Sequence, residues 1–381
     1  MRITLFIFLT IIFKTEAQTS VLNIADSLFQ NGNYSKAIIQ YKFYENQSEV
    51  YDKIAKACSA IGNYDEALHY YKLSIDTHPD NALVKYSYAR LLYRTKDFAE
   101  AKDVFNNLIE IDDSNPNYHY ELGLILEKQK DSTARDKFKK AFMLDNSHQK
   151  AIFKNAKYHL IKRHHDSVNY YLDIGFKSYE NNVELISLKA QNFYWEQEYE
   201  KAAVWFEKLI AFNETSEFIY EKLSLCYAQI YEFEKAIKYR GLALQYNPLD
   251  AVGIYVIGTY YEKIQDFEKA EEYIVKALKM MDTPLNGEYR KLATIYNQQK
   301  KYKEALEALK KAVKEDPKDE FSHFFIATTK SKYYEDYDAR IKAFEDFKTK
   351  FPESVMHGIA DQFIKRLKEE QFQNQEETTD K

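Results

Sequence analysis

Nine histidines and two cysteines are the side chains in this sequence best suited to metal or nucleophile chemistry, and their spacing decides how far to follow them. The densest group is His164-His165-Asp166, with His159 about a turn and a half earlier in helical terms. Adjacent histidines leave a helix on different sides, and no HExxH or paired-cysteine spacing accompanies them, so a solvated turn is the favoured reading and no metal site is expected. Cys58 and Cys226 are too few to staple a chain of 381 residues, and they read as buried free thiols. There is no GxSxG, no glycine-rich phosphate loop and no cysteine–histidine nucleophile motif. Carboxylates are plentiful but alternate with lysines at helical spacing, as in Glu304 and Glu307 near Lys310 and Lys311, which describes ion-paired solvated faces. The expectation is therefore a protein that is not an enzyme, with no catalytic residue and no cofactor.

The elements that carry these residues repeat. An aromatic residue is followed three positions later by alanine at Tyr34/Ala37, Tyr64/Ala67, Phe98/Ala101, Tyr199/Ala202, Phe233/Ala236, Phe267/Ala270 and Tyr302/Ala305. Degenerate copies stand at Asp131/Ala134, His165/Val168 and Tyr337/Arg340, so that successive steps are 30, 34, 33, 34, 34, 34, 34, 35 and 35 residues. A beat of that length is the signature of a stacked-repeat architecture. Each unit reads as two helices. Around Tyr302, Leu292, Ala293 and Tyr296 share a face of the first; Ala305, Leu306, Leu309, Ala312 and Val313 form the stripe of the second. Gln298-Gln299-Lys300-Lys301 is the turn between them, and Pro317 closes the unit, as Pro79, Pro248 and Pro352 close others.

These residues resemble the tetratricopeptide repeat family, whose unit carries a small residue in its first helix, an aromatic at the turn, then two alanines and a proline. The small position is Ala89, Ala156, Ala190, Gly258 and Ala293 here, and the later alanine is Ala141, Ala243, Ala277 and Ala312. The resemblance covers residues 19–352 and departs from the pattern most at Asp131 and His165. It implies an all-α fold, a right-handed superhelical α-solenoid of about ten helix pairs with a C-terminal capping helix. It also implies a concave face lined by first helices, on which a partner protein or peptide would lie. The positions so implied are Tyr86, Arg90, Tyr93, Lys150, Phe153, Lys157, Gln191, Tyr194, Tyr255, Thr259, Arg290 and Asn297, with Thr294 beside the last two. Aromatic anchors among cations and amides suit an extended peptide or a partner helix. The lysine–asparagine clamp with which some relatives hold a terminal carboxylate is not recognisable at these offsets.

At the N-terminus, Met1-Arg2, the apolar run Ile3 to Phe13 and the small Ala17 fit a signal peptide over residues 1–17, cut before Gln18. Eleven apolar residues are too few to cross a bilayer as a helix. The repeat array then occupies 18–352, a capping helix 353–370 and a disordered polar tail 371–381. A net charge of −5 with acids and bases interspersed excludes the basic stripe that nucleic acid demands. The lysine-, asparagine- and tyrosine-rich composition points to a bacterial protein of the periplasm or cell surface. The reading is an envelope scaffold that binds protein partners; the second is a sensory module whose tyrosine-rich concavity takes a small ligand or glycan.

Overall fold

A computed structural model of the chain describes residues 21–281 and 285–379, without the side chains of residues 372 and 374–379. The expected signal peptide lies outside the described residues, as do residues 380 and 381. The described residues contain α-helices, one 3-10 turn at Gln47–Glu49 and no strand. The helices come in pairs. The first four are α1 (21–30) with α2 (Tyr34–Phe43), α3 (Tyr51–Ala60) with α4 (Tyr64–Thr77), α5 (Ala82–Arg94) with α6 (Phe98–Ile111) and α7 (Pro116–Lys128) with α8 (Ala134–Leu144). Next are α9 (Gln149–Ile161) with α10 (His165–Ser178), α11 (Val183–Trp195) with α12 (Tyr199–Ala211) and α13 (Glu217–Gln229) with α14 (Phe233–Leu244). Then follow α15 (Ala251–Lys263) with α16 (Phe267–Leu278), α17 (Asn286–Gln298) with α18 (Tyr302–Glu315) and α19 (Glu320–Tyr333) with α20 (Tyr337–Lys350). A last helix, α21 (His357–Thr379), has no mate.

The chain forms two units, one ending at Leu188 and the other beginning at Lys189, the division falling within α11. In the first, α3–α4, α5–α6, α7–α8 and α9–α10 pack as pairs, and α2–α3, α4–α5, α6–α7 and α8–α9 join each pair to the next. The second repeats this plan from α12–α13 to α20–α21. Each is an α-solenoid stack.

Small residues set the spacing of the helices. Ala37, Ala67, Ala101, Ala202, Ala236, Ala270 and Ala305, the alanines three after each turn aromatic, are all fully buried. A larger side chain at any of them would overpack the contact by about 1–3 kcal/mol. Gly258 is tighter still: a Cβ there would stand 2.6 Å from Cγ1 of Ile274 and 3.2 Å from its backbone nitrogen.

Nine of the ten described pairs turn through a left-handed residue at the elbow; the α19–α20 elbow, through Tyr334, has none. Gly32 and Gly62 hold it in the first two pairs, but Lys96, Lys130, Arg163, Gln197, Tyr231, Gln265 and Lys300 hold it in later ones, with φ between 58° and 66°. In each the next residue's N–H reaches back five positions to a carbonyl, as from Asp97 to Leu92 at 2.9 Å and from Asp266 to Tyr261 at 3.0 Å. That bond is the six-to-one closure of a Schellman turn. Without glycine, the left-handed residue opposes its own Cβ at a cost of about 1–2 kcal/mol.

One elbow is a residue short. Ala134 follows Lys130 by four positions, where Ala101 follows Lys96 by five and Val168 follows Arg163 by five. The Asp131 carboxylate fills the gap, accepting from the Thr133 N–H at 2.9 Å and hydroxyl at 2.7 Å, and α8 starts only at Ala134. The His165 pair, also degenerate in sequence, keeps a full-length second helix with Val168 buried.

At the C-terminal end, Phe363 of α21 stacks on Phe344 of α20 at 4.9 Å, and Ala360 and Leu367 are buried. The helix continues to Thr379, past Glu370, where the sequence pattern places the start of a disordered tail. Arg340 pairs with Glu370, and Gln371 donates to Asp338 at 3.0 Å, so α20 holds the start of that segment. The glutamates and glutamines beyond it favour helix.

Candidate interaction surface

In the first unit, α5 carries Tyr86, Arg90 and Tyr93, five, nine and twelve residues after the cap Asn81, whose side chain accepts the Val84 N–H. At that spacing they share a helix face. Tyr86 and Arg90 converge on Glu121 of α7. The Tyr86 hydroxyl donates to Glu121 Oε1 at 3.2 Å, Arg90 Nε lies 3.4 Å from the same oxygen, and the guanidinium sits 5.7 Å from the Tyr86 ring centre. Burial and then the Glu121 charge push the Tyr86 hydroxyl up to about 12, against the opposing pull of Arg90. Tyr93 is raised by burial and by Glu127 and Glu121. On α9, Lys150 and Lys157 are exposed, Phe153 is half-buried, and the Lys157 ammonium lies 5.5 Å from the Phe153 ring centre.

In the second unit the corresponding side chains are more deeply engaged. Arg290 of α17 pairs with Asp319, the residue that caps α19, and Asn286 and Ser322 donate to the same Asp319 oxygen at 3.1 and 2.6 Å. Burial works against ionisation of this carboxylate, yet the bonds from Ser322 and Asn286 and the Arg290 charge outweigh it and hold its pKa below the usual value. Asn297 donates to Thr329 of α19 at 2.9 Å, and the Thr294 and Thr259 hydroxyls turn back to carbonyls of their own helices. Tyr255 is pushed up to about 12 by burial and then by Glu288 and Glu262. Tyr194 is raised by burial, with the Lys222 ammonium 5.1 Å from its ring centre; Gln191 lies on the same helix, half-buried.

The expected groove residues thus lie on first helices, but several spend their polar groups on the next repeat. Nothing in the sequence pattern singles out the acceptors Glu121, Asp319 and Thr329. A signal for such ties exists in the spacing of opposite charges. Lys53–Asp26, Lys140–Asp113 and Lys154–Glu127 are 27 residues apart, Lys72–Glu100 28 and Lys291–Glu262 29, so each pair spans about one repeat. Because most of these side chains are partly exposed, each pair contributes about 0.2–1 kcal/mol.

A further residue of the face lies two positions after each first-helix cap. It is Asp52, Leu83, Asn117 and Lys150 in the first unit, following Val50, Asn81, Asn115 and His148. In the second it is Phe218, Val252 and Phe321, following Ser216, Asp250 and Asp319, and Gly287 of α17, following Leu285. Phe218, Val252 and Phe321 are 43%, 60% and 50% exposed. Lys222 stands 5.7 Å from the Phe218 ring centre and Arg290 5.8 Å from that of Phe321.

Residues 60–122 and 255–320 each match a family model described as tetratricopeptide repeat, one stretch within each unit. The chain is a tetratricopeptide repeat protein. Among solved structures, the C-terminal part of a TPR repeat-containing protein from Cytophaga hutchinsonii is similar at 17% identity, covering 63% of this chain and 99% of that one with a TM-score of 0.50. A tetratricopeptide repeat protein from Parabacteroides merdae is similar at 13% identity, covering 74% and 99% with a TM-score of 0.45. At such identities the likeness concerns the fold alone. No curated protein matches in sequence.

As a tetratricopeptide repeat protein the chain is a protein-interaction scaffold, a fold that is typically non-catalytic. Among the described residues no helix is long and apolar enough to cross a membrane, and no group of three or more side chains is placed to hold a metal ion. Both thiols are buried, and burial pushes Cys58 up to about 11 and Cys226 up to about 12, far from the reactive range.

Proposed function

We propose that this repeat protein is an exported, non-enzymatic scaffold of the cell envelope that binds a peptide or partner protein on the first-helix faces of its units. One observation carries the reading. Phe218, Val252 and Phe321 recur at one repeat position, exposed, although burying each would be worth about 1.5–3 kcal/mol. The isolated fold gains from the buried part of these side chains, as where Phe218 meets Phe206, but nothing from the exposed part; a partner that covered it would. Cations beside the two phenylalanines, and Arg90 beside Tyr86 in the first unit, supply the mixed aromatic and charged character of an interaction surface. Export rests on the basic start, short apolar run and small residue of the first seventeen positions.

The test is affinity capture from the native cell with the wild-type chain and with two variants, Arg90→Glu/Tyr93→Ala and Phe218→Ser/Phe321→Ser. Loss of the same partners from a variant that keeps its helical spectrum supports the reading. Capture unchanged by both variants contradicts it. Fractionation decides the compartment: a chain that keeps residues 1–17 and stays in the cytoplasm is not exported.

A further inference from the structure

The elbow between α9 and α10 brings together two histidines that stand five apart in the sequence. His159 lies in the last turn of α9 and His164 caps α10. Between them Arg163, with φ at 59°, turns the chain back, and the His164 N–H donates to the His159 carbonyl at 3.0 Å. The two Nδ1 atoms then face each other at 3.4 Å. Two nitrogens at that separation can both stand about 2.0–2.1 Å from a common point and subtend about 110° there, the bond length and angle of tetrahedral imidazole ligation.

The pair is held in place. The His159 ring stacks on Tyr171 at 5.7 Å and 22° and meets Tyr158 edge-on at 5.2 Å. The His164 side chain is exposed and makes no capping bond to α10, so ligation would cost the helix nothing. From α8, Arg135 lies 4.2 Å from the Tyr158 ring centre and donates to its hydroxyl at 3.3 Å.

We infer that His159 and His164 chelate one divalent transition-metal ion that accepts imidazole in a tetrahedral shell, as Zn2+ does, and that Cu2+, bound more tightly by imidazole in general, serves as its spectroscopic probe. Two protein nitrogens hold the ion, and water or a group from another molecule completes its shell. In the ion-free pair one ring donates its Nδ1 proton to the other. On binding, that ring shifts its proton to Nε2, so that both Nδ1 lone pairs face the ion. The site does not depend on the proposed partner surface.

The test titrates the untagged full chain with Cu2+ alone, by calorimetry and by electron paramagnetic resonance. The expected result is one ion per chain with the hyperfine pattern of two nitrogen ligands. His164→Ala should weaken binding by about tenfold or more while the helical spectrum stays unchanged, and His165→Ala should leave affinity within about twofold. His159→Gln, which also removes a packed ring, serves as the second ligand variant. No saturable site, or one that His164→Ala leaves intact, overturns the inference. Equal loss in His165→Ala overturns the two-histidine assignment.

Discussion

The two units place different chemistry on one backbone position. Two residues past the first-helix cap, the first unit carries Asp52, Leu83, Asn117 and Lys150, and the second Phe218, Val252, Gly287 and Phe321. The cross-repeat ties differ in the same direction. Arg90 is 54% exposed against 25% for Arg290, and Glu121 12% against 6% for Asp319, which also collects bonds from Asn286 and Ser322. The repeat fixes where a side chain points and leaves its chemistry free. To a partner, the second unit offers two aromatic rings and a valine over a firmly held base, and the first offers exposed Leu83 beside cations that respond to salt.

Replacing Phe218 and Phe321 by serine should break the comparison most severely. It should cost about 2–4 kcal/mol of partner affinity, measured by calorimetry with the captured partner, while the variant keeps its helical spectrum and a cooperative melt. Next comes Asp319→Asn, which strands Arg290 and should destabilise the second unit by about 2 kcal/mol at pH 7 in urea melts. Its pH dependence has a definite sign. The folded-state pKa of Asp319 is depressed, so its contribution is complete above the ordinary aspartate range and disappears as pH falls through the lower folded value. The gap between wild type and Asp319→Asn should therefore close below about pH 4. Arg90→Glu in the first unit should cost about 1 kcal/mol of partner affinity at low ionic strength and less than half of that in about 0.5 M salt. Smallest is Gln265→Gly. Relieving one left-handed elbow should stabilise the chain by about 0.5–1 kcal/mol, which places glycine's advantage in the elbows where Gly32 and Gly62 already have it.

The pairing of helices was legible because burial needs a 3.6-residue period, and the seven aromatic–alanine signals all fall on buried contacts. The turn inside a pair was legible as a polar break such as Gln298–Lys301, but its left-handed residue was not, since Lys96, Tyr231 and Gln265 carry no glycine signal. Partners such as Glu121 for Arg90 or Thr329 for Asn297 were not legible, because they depend on how one helix pair is offset against the next. The shortened elbow at Lys130–Ala134 was visible only as a weak copy, since Asp131 replaces a missing residue with a side-chain turn. The facing of His159 and His164 was hidden for the same reason: a left-handed residue between them reverses the chain.

That partners lie on first-helix faces is tested most directly by site-specific photo-crosslinking in the native cell. A photoreactive phenylalanine analogue would be placed at Phe218, at Phe321 and, as a control on a second helix, at Lys276. If first-helix faces carry the partner, Phe218 and Phe321 should yield the same crosslinked protein and Lys276 none. Crosslinks from Lys276, with Phe218 and Phe321 silent, would contradict that placement.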